Sequence, residues 1–401
     1  VARELPDWID GYLKYTENTE PPRSYHHWLA CSVIAGALQR KVRLEWGFET
    51  IYPNLFLVLV GHSGKTRKGV ALGIAKDILS RISSVAIAPE SASGREALIA
   101  AMKRAAANFT DPTTGVIHSH CSLTAFSEEL AVFLGQRDIK LLANLTDWYD
   151  SKPDWTYETI GRGRDTLSGL CFNLAGATAP DWLQSMLPQE AVGGGWTSRV
   201  IFVVEEKKGK TVAKAQKTKE EEELEEQLVR DLERIQQLCG GFQFDKEGEE
   251  AYVRWYEEED KKLEQGQPPI EDPRFSGYCE RRATHLRKLM MIMSASRSDS
   301  LVIQRCDFDR ALALLKAAEA NMHKTFGGLG TGRYSTITDK VLQYIQSVGT
   351  TTRSVVLGRF YRDLDPEALR VIEETGEGMK VIQVRVLPDR KEKVYQWIGK
   401  K

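Results

Sequence analysis

Three things are scarce in this chain of 401 residues. Cysteine is one. There are six, at 31, 121, 171, 239, 279 and 306, with no CxxC and no Cys/His pair at zinc spacing. That argues against a disulfide framework or a zinc module. It leaves free thiols in a reducing compartment, the cytoplasm, as the expectation. Long apolar runs are also missing. None approaches the roughly eighteen residues of a membrane span, so no membrane partner is expected, and no secretory signal opens the chain. The third absence is an excess of one charge. Lys and Arg number 55 against 56 Asp and Glu, so no global basic field advertises nucleic acid, and any such binding must come from local patches.

What is present points to a folded α/β protein. The 42% of hydrophobic residues is ordinary for a globular chain, and the length allows two or three domains. Residues 1–50 read as a helical N-terminal segment, with Trp8, Ile9, Tyr12 and Leu13, then Trp28, Leu29, Ile34, Ala35 and Leu38, at helical spacing. Residues 55–60, Leu-Phe-Leu-Val-Leu-Val, form a continuous apolar run ending at Gly61, the pattern of a buried parallel strand. Further strands are expected at 122–126, 170–175 and 200–204. Helical stretches between them give a parallel α/β core over 51–206. A basic then acidic stretch follows at 207–235, read as a solvated linker and a charged helix. Residues 236–330 read as all-helical. A last unit at 336–401 has three short helices and a two-stranded hairpin, the pattern of a winged helix.

The run Gly61-His62-Ser63-Gly64-Lys65-Thr66-Arg67-Lys68-Gly69 follows the first apolar strand and precedes a helix expected over 67–82. Phosphate binding needs backbone N–H groups around a concavity, a helix N-terminus behind it and a lysine, all of which this context supplies. The usual spacing does not fit cleanly. With Gly64-Lys65-Thr66 as the Gly-Lys-Thr element, Leu59 falls where the first glycine belongs. With Gly61 as that glycine, Arg67 takes the lysine position and Lys68 lies one place beyond. Counting from Lys68 puts Ala71, Ile74, Ala75, Ile78 and Leu79 toward the sheet; counting from Lys65 gives a mixed set that includes Lys68 and Lys76. The register favours Lys68, with Lys65 the alternative. Gly69 then stands where a magnesium-binding hydroxyl usually sits, so Thr66 or Ser63 would have to serve.

Three further positions fit phosphoryl transfer to water, which needs a metal-side acid, a water-activating acid and stabilisers of the developing charge. Glu128 and Glu129 follow the strand at 122–126 and suit those two acidic roles, although such a pair alone also reads as the solvated start of a helix. Asn173 is polar within an apolar strand, either a satisfied core amide or a sensor of the γ-phosphate. Arg199 follows Gly193-Gly194-Gly195 and precedes an apolar strand, either an ordinary loop arginine or a finger for a neighbouring subunit.

The order of these parts resembles the minichromosome maintenance branch of AAA+ helicases, through Ser198-Arg199-Val200-Ile201-Phe202 and the helix Glu280-Arg281-Arg282-Ala283-Thr284-His285-Leu286-Arg287-Lys288-Leu289. Setting Lys288-Leu289 on that family's Arg-Leu places a second sensor at Arg281, or at Arg282. Tyr52-Pro53-Asn54-Leu55, Arg67-Lys68-Gly69 and Leu145-Thr146-Asp147-Trp148-Tyr149-Asp150 resemble, more closely, a set of helicase-like phage and mobile-element proteins known only as a domain of unknown function. The resemblance implies a P-loop AAA+ core with a helical lid over 236–330 and a C-terminal winged helix. It also implies ATP and Mg2+ as cofactors, with Thr66 and Glu128 on the metal. The implied function is a replicative ATP-driven helicase or translocase, a homo-oligomeric ring (a hexamer) that hydrolyses ATP between subunits. The alternative is a non-motor nucleotide switch, a helicase loader or defence ATPase, acting through a protein partner.

Single-stranded or forked DNA is the implied partner. Residues 152–164 read as a hairpin with Gly161 and Gly163 near its turn, and in the resembled hexamers a hairpin at this position lines the channel. Lys152, Arg162 and Arg164 are its candidate DNA contacts, with Arg390, Lys391 and Lys393 of the wing. His118 and His120 alternate along a strand but lack a third ligand nearby, and His26 and His27 read as packing residues.

Overall fold

Helices α1 (Trp8–Tyr15) and α2 (Arg23–Leu38) open the computed structural model, which describes every residue except 1–2, 113, 136–137, 160–162, 181, 184–186, 188–192, 215, 327–334, 362, 388–391 and 400–401. Helix α2 is buried on nearly all sides, as its apolar run from Trp28 to Leu38 demands, and packs against the sheet and its neighbouring helices. The helical reading of 1–50 fails after Leu38. Strands β1 (Val42–Trp46) and β2 (Glu49–Ile51) form an antiparallel pair there. The buried, alternating Val42 and Leu44 carry the period-2 signal of a half-buried strand.

The main sheet is built from β3 (Phe56–Val60), α3 (Lys68–Ser80), α4 (Arg95–Arg104), β4 (Ala106–Thr110), β5 (Ile117–Ser127), α5 (Leu130–Leu134), α6 (Ile139–Tyr149), the hairpin β6 (Asp154–Thr159) and β7 (Gly163–Ser168), β8 (Leu170–Thr178) and β9 (Val200–Val204). Its strand order is β4-β5-β8-β3-β9. Strands β5, β8, β3 and β9 run parallel, and only β4 is antiparallel. All residues of β3, β8 and β9 are buried, which is why these strands read as unbroken apolar runs. From β3 the chain passes to one side for β5 and β8, and later to the other for β9. The connections therefore reverse at β3 and open a crevice beyond its C-terminal end.

Helix α7 (Lys219–Gln237) begins at a capping box between Thr218 and Glu221. It is not a free linker helix: Leu228, Leu232 and Ile235 are buried, and Asp231 accepts from the backbone of Glu4 and Leu5. The region expected to be all-helical contains β10 (Gly240–Phe244), α8 (Lys246–Glu264), α9 (Ser276–Arg297), β11 (Val302–Ile303) and α10 (Arg305–Met322). Its two strands correct that expectation. They join β1 and β2 in a four-stranded sheet, with β10 pairing parallel to β1 although Val42 and its partner Gly240 lie 198 positions apart. The N-terminal helices, the main sheet and these helices make one compact unit, Val1–Phe326.

The second unit, Gly327–Lys401, holds α11 (Ser335–Val348), β12 (Thr350–Thr352), α12 (Arg353–Phe360), α13 (Pro366–Gly378), β13 (Ile382–Leu387) and β14 (Glu392–Trp397). Its antiparallel sheet, ordered β12-β14-β13, closes a core of Val341, Ile345, Val356, Leu369, Ile372 and Tyr395. The three helices and the hairpin lie where local periodicity puts them.

Candidate functional site

The crevice beyond β3 is lined by the loop of 61–67. Arg67 takes a left-handed conformation at φ 55°, and the helix starts at Lys68. No side chain caps α3, so the N–H groups of its first turn remain available to an anion. Lys68 folds back across the loop and donates to the Gly61 carbonyl at 2.5 Å and the His62 carbonyl at 3.5 Å. Lys65 is exposed at the loop tip, with Ser63 and Gly64. Burial lowers the Lys68 ammonium from the ordinary lysine range, and the Glu129 carboxylate opposes that shift. The buried residues of α3 are Ala71, Leu72, Ala75, Ile78 and Leu79, so four of the five positions counted from Lys68 face inward; Ile74 is half-buried.

Strand β5 delivers the two acids to this loop. Ser127 pairs with Gly176 near the end of β8, which leaves Glu128 and Glu129 exposed just beyond the sheet. A Cβ on Gly69 would stand 3.0 Å from a carboxylate oxygen of Glu128. Residues some sixty positions apart in the chain thus meet at the first turn of α3, and Glu128 fills the space that a side chain at 69 would occupy. A side chain at 69 would therefore have to displace the exposed end of Glu128. Thr66 does not replace the missing hydroxyl here. It is fully buried, and its oxygen lies 2.5 Å from where a Gly61 Cβ would be, beside the Tyr25 hydroxyl. Arg67 faces away from the crevice to Glu20 at 2.7 Å, and Lys208 and Arg67 together hold the Glu20 carboxyl down at about 2.

Three of the remaining candidates lie at the other end of the sheet. Asn173 is opposite Leu55, at the start of β3 rather than its end. Its oxygen accepts from the Leu55 N–H at 2.9 Å, and its amide donates to the Ser32 carbonyl and hydroxyl. This corrects the sensor reading: Asn173 is a satisfied core residue, turned away from the loop. The β8 residue that reaches the loop is Thr178, whose carbonyl accepts from the Gly61 N–H at 3.2 Å. Arg199 precedes β9 and is also at the far edge. It is buried, bonded to Asp150 at 2.7 Å and to the Gly195 carbonyl at 2.8 Å, so it is neither a loose loop arginine nor a freely extended finger. Arg281, over a third exposed, approaches the same Asp150 at 3.8 Å. Arg282 is buried within the helical layer, paired with Glu319 at 2.7 Å and with Glu259, which corrects its reading as a sensor.

Beside the exposed Asp150 lies a buried network that the sequence motifs mark without explaining. Asn54 donates to the Tyr149 and Phe172 carbonyls and accepts from Ser151 and from Lys288, the latter at 2.7 Å. The Tyr149 hydroxyl meets His285 Nδ1 at 3.0 Å, and the other ring nitrogen of His285 meets the Ser198 carbonyl. Burial pushes Lys288 down to about 7 and His285 down to about 3. The motifs at 52–55 and 145–150 are therefore the two sides of one joint that clamps α9 and the Arg199 turn to the sheet.

The hairpin expected at 152–164 forms as β6 and β7. Arg164 is exposed on it. Lys152, just before it, is paired with Asp147 at 2.7 Å, and Arg162 lies outside the described residues. The hairpin aromatics are in use: Trp155 stacks on Tyr157 and packs against Trp148, and Arg95 covers Tyr157 at 4.8 Å. In the second unit Lys393 is bonded to Glu373, while Arg390 and Lys391 lie outside the described residues. His120 bonds Ser122, and no cluster of three or more metal-ligating residues exists among the described residues. The six cysteines are free, and no helix is long and apolar enough to cross a membrane among the described residues.

Two cavities lie at the C-terminal ends of β5 and β9. One of about 460 Å³ lies between α3 and residues 88–93, with Glu128 and Glu129 on its wall. The other, about 200 Å³, sits where Val204 of β9 meets Arg23, Trp28, Leu314 and Asn321. Val204 pairs with Val60, the residue before the loop. No protein-family model matches the chain, and no curated protein matches it.

Proposed function

We propose that the chain is a P-loop ATPase of the AAA+ kind that works on DNA as a helicase or translocase of the MCM-like type. The observation that carries this reading is the meeting of Lys68, Gly69, Glu128 and Glu129 at the uncapped start of α3. A lysine and free N–H groups suit the β- and γ-phosphates, and two carboxylates beside them suit a magnesium ion and an attacking water. ATP would bring its phosphates to the 61–69 loop, and its base toward the cavity at Trp28 and Asn321. Mg2+ would supply charge neutralisation at the phosphates, with Glu128 on its side of the site. Glu129 would take the proton from water.

The strand order, with the loop strand between β8 and β9, supports the AAA+ assignment. The α-β-α-α-β-β order of the second unit supports a winged helix. Arg199 and Arg281 stand at the sheet edge opposite their own loop. That favours action on a neighbouring copy's nucleotide in a ring, after Arg199 is released from Asp150. Arg164 and the wing are the proposed DNA contacts. The test is ATP hydrolysis with and without single-stranded DNA, together with unwinding of a forked duplex. Hydrolysis stimulated by DNA and loss of the fork are expected; absence of both overturns the motor reading.

A specific observation also favours the second reading, a nucleotide switch with a protein partner. Gly69 offers no hydroxyl to the metal and Thr66 is turned inward, which suits slow hydrolysis. Slow turnover indifferent to DNA, with partner binding that depends on nucleotide, is its signature.

A further inference from the structure

The end of the sheet away from the loop contains a cavity of about 450 Å³, within the range of ligand sites. It shares no residue with the loop cluster. Ser119 on its wall precedes Glu128 by nine residues along the strand direction, a separation of about 30 Å at roughly 3.3 Å per residue.

Its deepest cation is Arg40. The residue is 8% exposed, its guanidinium lies 3.9 Å from the centre of the Tyr52 ring, and one nitrogen donates to the Leu170 carbonyl at 2.7 Å and to the Ser151 carbonyl. No carboxylate pairs with it among the described residues. A buried cation normally has an anionic partner, because desolvation is otherwise uncompensated. Burial, with Lys41 and Arg40 beside it, also pushes the neighbouring His120 down to about 4, so the local potential is positive. Arg43 lies on the same wall, bonded to Glu45 at 2.8 Å and to Asp111 at 3.3 Å. The Arg43–Glu45 pair is exposed, and such a pair yields readily to a stronger anion. The lining also holds an aromatic face, Phe109 stacked on His118 at 5.3 Å and 26°. A buried guanidinium with carbonyl and ring partners but no carboxylate among the described residues, in a lining that also holds a planar aromatic surface, matches an anion that carries a ring.

We propose that this cavity binds a nucleotide unit, with its phosphate toward Arg40 and Arg43 and its base against Phe109 and His118. The unit comes either as a free mononucleotide or as one residue of a single strand. The cavity borders Pro153 and Ser168, at the base of the β6–β7 hairpin, so a strand seated there runs beside that hairpin.

The test uses the full chain carrying Lys68→Ala, which weakens binding at the loop. A fluorescent oligo(dT) and, separately, AMP are titrated against it and against the same protein with Phe109→Ala or Arg43→Gln added. Saturable binding is expected, weakened about tenfold by Phe109→Ala, the size of one lost base stack. Arg43→Gln should lower the salt slope of oligonucleotide binding by about one. Thermal midpoints of the variants check that the fold is kept; Arg40→Gln is avoided because Arg40 also holds two carbonyls. Variant-sensitive binding of the oligonucleotide identifies a strand, and of AMP alone a free nucleotide. If neither probe binds, or if both variants bind like their parent, the proposal is overturned. The result does not depend on ATP hydrolysis: variant-sensitive binding in a protein without DNA-stimulated turnover leaves this site standing and removes only the motor.

Discussion

The two edges of the parallel sheet differ in how their polar groups are used. At the C-terminal edge, Glu128, Glu129, Lys65 and Ser63 are exposed, the first turn of α3 is uncapped, and Lys68 donates to loop carbonyls beside the Glu129 charge. At the N-terminal edge, Asn54, Asn173, Tyr149, His285 and Lys288 are buried and bonded to one another or to the backbone. Groups that satisfy each other stabilise a fold. Groups left open beside a helix start are the ones ready to meet a ligand. The contrast sets open polar groups beside the loop at one edge against a bonded network at the other, where the cavity lined by Arg40 and Arg43 is a separate open feature.

The largest expected effect is at Glu129. Glu129→Gln should lower ATP turnover by about a hundredfold or more while nucleotide still binds, measured by phosphate release and by titration. Next comes Lys68→Ala. Losing a charge-assisted contact of about 1.5–3 kcal/mol weakens nucleotide binding by roughly ten- to a hundredfold. Lys65→Ala should change it little, and the reverse ranking would break the assignment of the loop.

The cohesive edge is probed by Asn173→Ala. It leaves the buried Leu55 N–H unpaired and should cost about 2–3 kcal/mol in denaturant unfolding, with nucleotide binding by the folded protein unchanged. A variant of normal stability that cannot hydrolyse ATP would return Asn173 to the site. The finest test is pH. Lys288 is held at about 7, below its unfolded value of about 10.4, so between those values the unfolded chain binds a proton that the folded one does not. Stability contributed by this residue therefore rises with pH across that window, by up to about 1.4 kcal/mol per unit, and is lowest below pH 7. Lys288→Met should remove that rise, read as the difference between the two unfolding curves.

Much of this was legible in local pattern. The apolar strands at 55–60 and 200–204, the helix after the loop, the hairpin and the second unit all follow from hydrophobic periodicity and turn residues. So did the inward face of α3 counted from Lys68, because helix register is a property of a dozen consecutive residues. The same reasoning misplaced Asn173. It recognised a polar residue in a buried strand but had no measure of how far along the strand the loop lies, which the pairing of Phe56 with Leu174 supplies. It also missed the sheet shared by residues 42–51, 240–244 and 302–303, since a parallel pair between distant segments leaves no short-range mark.

Gly69 divides the two kinds of information. That a glycine follows Lys68, and that no hydroxyl is present there, was fixed by the order of residues. That Glu128 stands 3.0 Å from where its Cβ would be came only with folding. Periodicity depends on neighbours in the chain, whereas this contact depends on β3 and β5 lying in register on either side of β8, a matter of long-range packing.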